Sequence, residues 1–179
     1  MDRFSAYLLV RRHLKRSGSR NQALAVEAIM EEVAAHLEQP SPPWGVLGLL
    51  SQLDLEYAEQ NPEVRGRTAS EQALLDGLPE ADARRLVRCF SPLQAHRDDE
   101  TLEQVELALL GSTLIAEEAL GHDRERPAES LAHDLELLRQ RGDPRGNALD
   151  RALTELQLTA GEAAEKATVA LQRIAQDLR

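Results

Sequence analysis

Cysteine is almost missing from the 179-residue sequence, where Cys89 stands alone. A single thiol excludes an internal disulfide, a CxxC redox pair and a thiolate zinc cluster. Aromatic residues are nearly as scarce, at 3%. No run approaches the roughly 18 consecutive apolar residues of a membrane span, and no apolar leader with a small-residue cleavage site opens the chain. These absences lead to the expectation of a cytoplasmic protein without membrane contact. Lysine is rare as well, since Lys15 and Lys166 are the only two among 21 basic residues. The rest are arginines, which do not serve as general bases near neutral pH.

What is present suits a folded chain. Apolar residues make up 42% and charged residues 29%, with a net charge of −10, a globular rather than a disordered balance. A chain of this length buries roughly 70% of its unfolded surface and suits a single domain over residues 1–179. The charge is unevenly placed. Residues 1–20 carry +5, so the remaining 159 carry −15. An acidic body repels phosphate and leaves the first helix as the one footprint for nucleic acid.

Ala, Leu, Glu, Arg and Gln dominate nearly every segment, and no stretch sustains the alternation of a strand. The expectation is an all-α fold of about eight or nine helices. The first runs from Arg3 to Arg16 and stops at Ser17-Gly18-Ser19. The second covers Arg20 to Glu38, with Leu24, Ala28, Val33, Ala34 and Leu37 on its inner face. Pro40, Pro42 and Pro43 mark a break. Further helices are expected over Trp44–Leu53, Thr68–Leu75, Glu80–Phe90 and Leu102–Leu120, then from Pro127 to Gln140 and over Asn147–Leu158. Thr159 and Glu162 form a capping box for the last helix, striped by Ala167, Leu171, Ile174 and Leu178.

Three stretches in order carry a resemblance. They are Leu24-Ala25-Val26-Glu27-Ala28-Ile29-Met30, then Pro43-Trp44 through Leu50-Ser51-Gln52-Leu53-Asp54-Leu55-Glu56, then Asn61-Pro62-Glu63-Val64-Arg65-Gly66, the last continuing through Leu74-Leu75-Asp76-Gly77-Leu78-Pro79-Glu80. Together they resemble the small bacterial HD-domain proteins, relatives of metal-dependent phosphohydrolases, over about residues 4–178. The resemblance implies a metal held by a histidine ahead of the Leu24–Met30 helix, a His-Asp pair and a late aspartate, with two assisting histidines. Carried over, the first histidine becomes Gln22 and the His-Asp pair becomes Ser51-Gln52. The assisting histidines become Arg65 and Phe90, and the late aspartate falls on Leu109, or Leu110 one residue on. Only Asp54, outside the ligand set, keeps its type. Neutral amide and hydroxyl oxygens bind transition metals weakly, and Phe90 and Leu109 offer no donor. The resemblance therefore implies a pseudoenzyme with no catalytic residue, metal or cofactor, acting as an interaction or scaffold module through a protein partner or self-association.

Other residues offer competing chemistry. His122-Asp123 and His133-Asp134 suggest a relocated metal site for a phosphohydrolase, although adjacent helical residues point about 100° apart and neither pair chelates alone. His13, His36 and His96 read as surface residues. Arg65 and Arg67 flank Gly66 and suit anion binding through the planar guanidinium, against which stands a local ion pair to Glu59 or Glu63. Asp54 and Glu56, two apart, face different ways and do not form an acid–base pair. Arg11, Arg12, Lys15 and Arg16 are spaced as one basic stripe on the first helix, opposite Phe4, Tyr7, Leu8, Val10 and Leu14 as a packing face. Such a stripe suits nucleic acid, an anionic membrane or an acidic partner, or is a solvated face offsetting the acidic body. Cys89 beside Phe90 reads as a small core residue, and Trp44 as a core position. An alanine face of Ala163, Ala164, Ala167 and Ala170 invites close helix packing, within the domain or from a second subunit.

Overall fold

In a computed structural model, residues 1–93, 101–121 and 127–175 are described, and all their regular structure is helical. Helix α1 (Arg3–His13) starts at Asp2, whose carboxylate accepts the Ser5 backbone N–H at 2.8 Å. It ends three residues earlier than its pattern suggests. Leu14 and Arg16 are extended, with ψ of 117° and 138°, and the expected breaker Ser17-Gly18-Ser19 instead opens α2 (Ser17–His36). The reason is a cap supplied from elsewhere in the chain. Glu56 accepts the Arg16 backbone N–H at 2.8 Å. Burial pulls the Glu56 carboxyl upward, but hydrogen bonds from the Arg16 and Lys15 backbone and from Ser19 outweigh it and hold the group below the usual carboxylate range.

The proline cluster also behaves differently from a simple break. Pro42 and Pro43 lie in the first turn of α3 (Ser41–Leu50), where a missing N–H costs no helical hydrogen bond. A short α4 (Leu55–Ala58) follows, then α5 (Arg67–Leu75) and α6 (Glu80–Arg88). The remaining helices are α7 (Gln104–Leu120), α8 (Ala128–Gln140), α9 (Pro144–Glu155) and α10 (Ala160–Arg173). Helix α9 begins before Asn147 because Asp143 caps the Gly146 N–H at 2.8 Å and Pro144 fits the first turn. The capping box of Thr159 and Glu162 is formed as expected.

Helix α2 is the axis of the core, packed against α3, α7 and α10. Its crossing with α3 is close: a Cβ on Gly48 would lie 3.0 Å from both Glu27 Cα and Val26 O. Helix α7 is buried around most of its circumference, from Val105 to Ala119. The alanine face of α10 is spent inside the domain, on α8, α2 and α7, so that face is not a free subunit contact. Cys89 and Phe90 are buried and Trp44 is partly buried against the core. Burial pushes the Cys89 thiol far above its ordinary value, which makes it a poor nucleophile. No helix among the described residues is long and apolar enough to cross a membrane.

Candidate functional site

The loop after α3 brings Ser51 and Gln52 into the interior beside α2 and α7. Both side chains are fully buried. Ser51 Oγ donates to Gly48 O at 2.8 Å and accepts from Gln52 Nε2 at 2.8 Å. The same Gln52 amide donates to Thr113 Oγ1 on α7 at 3.1 Å. Gln22, from α2, has its amide nitrogen 3.4 Å from Gln52 Oε1 and 3.3 Å from Glu117 Oε1. Glu117 is in turn paired with Arg145 at 2.7 Å.

Arg65 closes the group from the opposite side. Its guanidinium donates to Gln52 Oε1 and to Asp54 Oδ1, each at 2.7 Å, and lies 4.4 Å from the centre of the Phe90 ring. Asp54 accepts a second bond, from the Ala69 backbone N–H at 3.1 Å, and so caps the first turn of α5. This arrangement depends on Gly66, whose φ is +82°. A Cβ there would sit 2.2 Å from Leu86 O and 3.0 Å from the Phe90 ring. Glycine thus provides both the left-handed turn and the close approach of the Arg65 segment to α6.

No protein family, curated protein or solved structure matches this chain.

Gln22, Ser51, Gln52, Arg65 and Phe90, which the resemblance set side by side, are linked by hydrogen bonds or ring contact. Leu109 is buried without joining the polar group, and α7 meets Gln52 through Thr113 instead. Thr113 lies one helical turn beyond Leu109 and donates its hydroxyl to the Leu109 carbonyl at 2.9 Å. Residues four apart share a helix face, so apolar periodicity does not show which of them meets Gln52. Serine or threonine inside an otherwise apolar helix was the available signal.

Gln22, Ser51, Gln52 and Thr113 offer amide and hydroxyl groups, which are weak donors for a transition metal, and the neighbouring carboxylates of Asp54 and Glu117 are engaged by Arg65 and Arg145. Among the described residues no group of three or more His, Cys, Asp or Glu could hold a metal. His133 is exposed on α8, and His122, Asp123 and His96 lie outside the described residues.

Arg65 faces inward and donates to Asp54 and Gln52. Its planar donor fork is therefore occupied within the chain, while Arg67 is exposed on the first turn of α5 and does not join it. The four-residue basic stripe is broken by the end of α1 at His13. Arg16 turns away to Glu56 and Glu59. The packing face differs too: Phe4 and Leu8 are exposed, at 69% and 49%, while Val10 and Leu14 are buried. A cleft of about 330 Å³ remains beside the polar group, lined by Gly18, Asn21, Gln22, Glu117, Leu120 and Gly121. The Glu117 carboxylate on its wall disfavours an anion.

Proposed function

We propose that this protein is a non-catalytic, HD-domain-like pseudoenzyme that works as an interaction or scaffold module. The observation that carries the reading is Arg65, held between Gln52 and Asp54 and stacked over Phe90, at positions where the resemblance implies metal and substrate groups. A fixed guanidinium supplies positive charge without an open coordination position, and hydrolysis by a metal requires that position for water. Gln22, Ser51, Gln52 and Thr113 then serve as a polar brace between α2, the loop after α3 and α7. Buried polar groups of this kind are stabilising only when their partners are all present.

The test is metal analysis of the purified protein after incubation with Mn, Fe, Ni or Zn, alongside hydrolysis of phosphomonoesters and phosphodiesters. The expected result is no stoichiometric metal and no turnover. A rebuilt variant combining Gln22→His, Ser51→His, Gln52→Asp, Thr113→Asp and Arg65→Ala provides the positive control and is expected to take up metal. Stoichiometric metal in the unaltered protein that is lost on Gln52→Ala would overturn the reading.

A further inference from the structure

Resting on the reading of the chain as an interaction module, we propose that the outer face of α1, with the end of α5, docks an acidic amphipathic helix of another protein. Phe4, Leu8, Arg11 and Arg12 recur at i, i+4, i+7 and i+8, so they share one side of α1. That side points away from the core, which α1 meets through Ala6, Leu9 and Val10. Phe4 and Leu8 are therefore exposed on the same strip as two arginines. Arg12 reaches Asp76 at 3.6 Å, which brings the strip to the end of α5, where Leu75 is 81% exposed. Lys15 extends the positive charge beyond the helix.

Phe4 and Leu8, one turn apart on α1, make a continuous exposed apolar strip beside the charges. Charge decides the occupant. A second copy docked through the same face would oppose like charges, which is unfavourable. A nucleic acid would engage the cations but leave Phe4, Leu8 and Leu75 unused, and the −15 remainder of the chain would repel its phosphates. An anionic membrane meets the same repulsion over a wider surface. An acidic helix satisfies both halves of the strip: leucine-type side chains cover Phe4, Leu8 and Leu75, and its carboxylates pair with Arg11, Arg12 and Lys15.

The experiment uses the full chain and a fluorescein-labelled synthetic helix of about 18 residues, with leucines on one face and glutamates on the other. Its control carries lysines in place of the glutamates, and phosphatidylcholine vesicles with and without phosphatidylglycerol are the lipid arm. Fluorescence anisotropy is expected to show binding of the glutamate peptide that weakens with salt. Phe4→Ser with Leu8→Ser, and separately Arg11→Glu with Arg12→Glu, should each weaken it at least about tenfold. Phe4 and Leu8 are about half exposed or more and the Arg12–Asp76 pair lies at the surface, so the urea midpoint should fall only slightly in either variant, far less than peptide binding does. Failure of the glutamate peptide to bind, equal binding of the lysine peptide, or indifference to both variants would overturn the proposal. So would vesicle binding that the same variants abolish. Metal uptake with hydrolysis would remove the pseudoenzyme reading while leaving this surface intact, and a metal-free protein that ignores the peptide would do the reverse.

Discussion

Removing the Arg65 guanidinium should expose how much of the fold depends on it. In Arg65→Met, Asp54 loses the 2.7 Å charge-assisted bond and keeps the Ala69 N–H, while Gln52 Oε1 loses a second 2.7 Å donor. Asp54 is fully buried and Arg65 has 12% of its side chain exposed, so water replaces little of what is removed. Breaking a buried pair from one side costs about 3–5 kcal/mol. The surviving backbone donor and the apolar methionine against Phe90 place the expected loss near the lower end, about 3 kcal/mol. With a urea slope of about 2 kcal/mol per M, the midpoint falls by about 1.5 M. Asp54→Asn should cost about 2 kcal/mol alone, because it leaves the guanidinium beside a neutral amide. The double variant buries no lone charge, so it should be less damaged than the sum of the two by about 1.5 kcal/mol or more. A ligand-binding arginine would behave otherwise, since its loss would leave stability nearly unchanged. An Arg65→Met cost under about 1 kcal/mol, or a cycle additive within about 0.5 kcal/mol, would refute the structural role.

Gly66→Ala forces a Cβ to 2.2 Å from Leu86 O at a φ of +82°, and should destabilise by more than about 2 kcal/mol, read as a lower urea midpoint. Gly77, also at positive φ but with open space around it, should cost clearly less on the same substitution. Burial raises the Glu106 carboxyl against the opposing Glu103 backbone bond and Arg88. A raised carboxyl takes up its proton more readily folded than unfolded. Its contribution is therefore fully present below the unfolded value and is lost as pH rises through the folded value. Glu106→Gln should remove that decline, which amounts to at most about 1.4 kcal/mol per pH unit, and urea midpoints measured across the mildly acidic range would show whether it does.

Legibility in the sequence followed the range of the interactions involved. The long helices and the Thr159–Glu162 box depend mostly on residues within one turn of one another and stand near where the pattern places them, while the ends of α1, α3 and α9 and the short α4 do not. The break at Leu14–Arg16 depends on Glu56, forty residues away from Arg16, and local composition instead pointed to Ser17-Gly18-Ser19. Charge matching along the chain likewise pointed Arg65 toward Glu59 or Glu63, whereas Gly66 turns the segment so that Asp54 receives it. Gln22, Ser51 and Gln52, which the resemblance set together, do meet in space. The contact of Thr113 with Gln52 was not legible, because the hydrophobic pattern of α7 does not show which of its polar residues faces the Gln52 loop. The outward placement of Phe4 and Leu8 was hidden for a different reason. An apolar residue on a short helix reads as core unless the burial of its neighbours is known, and here Ala6, Leu9 and Val10 take that role.

The positive charge between Gln52 and Asp54 is carried on the polypeptide itself. It is delivered at the moment of synthesis, in fixed stoichiometry, and no chelator can strip it out. The link it makes between the Gln52 loop and the start of α5 therefore forms without an ion, so the stability that this link contributes should not change when a chelator is added.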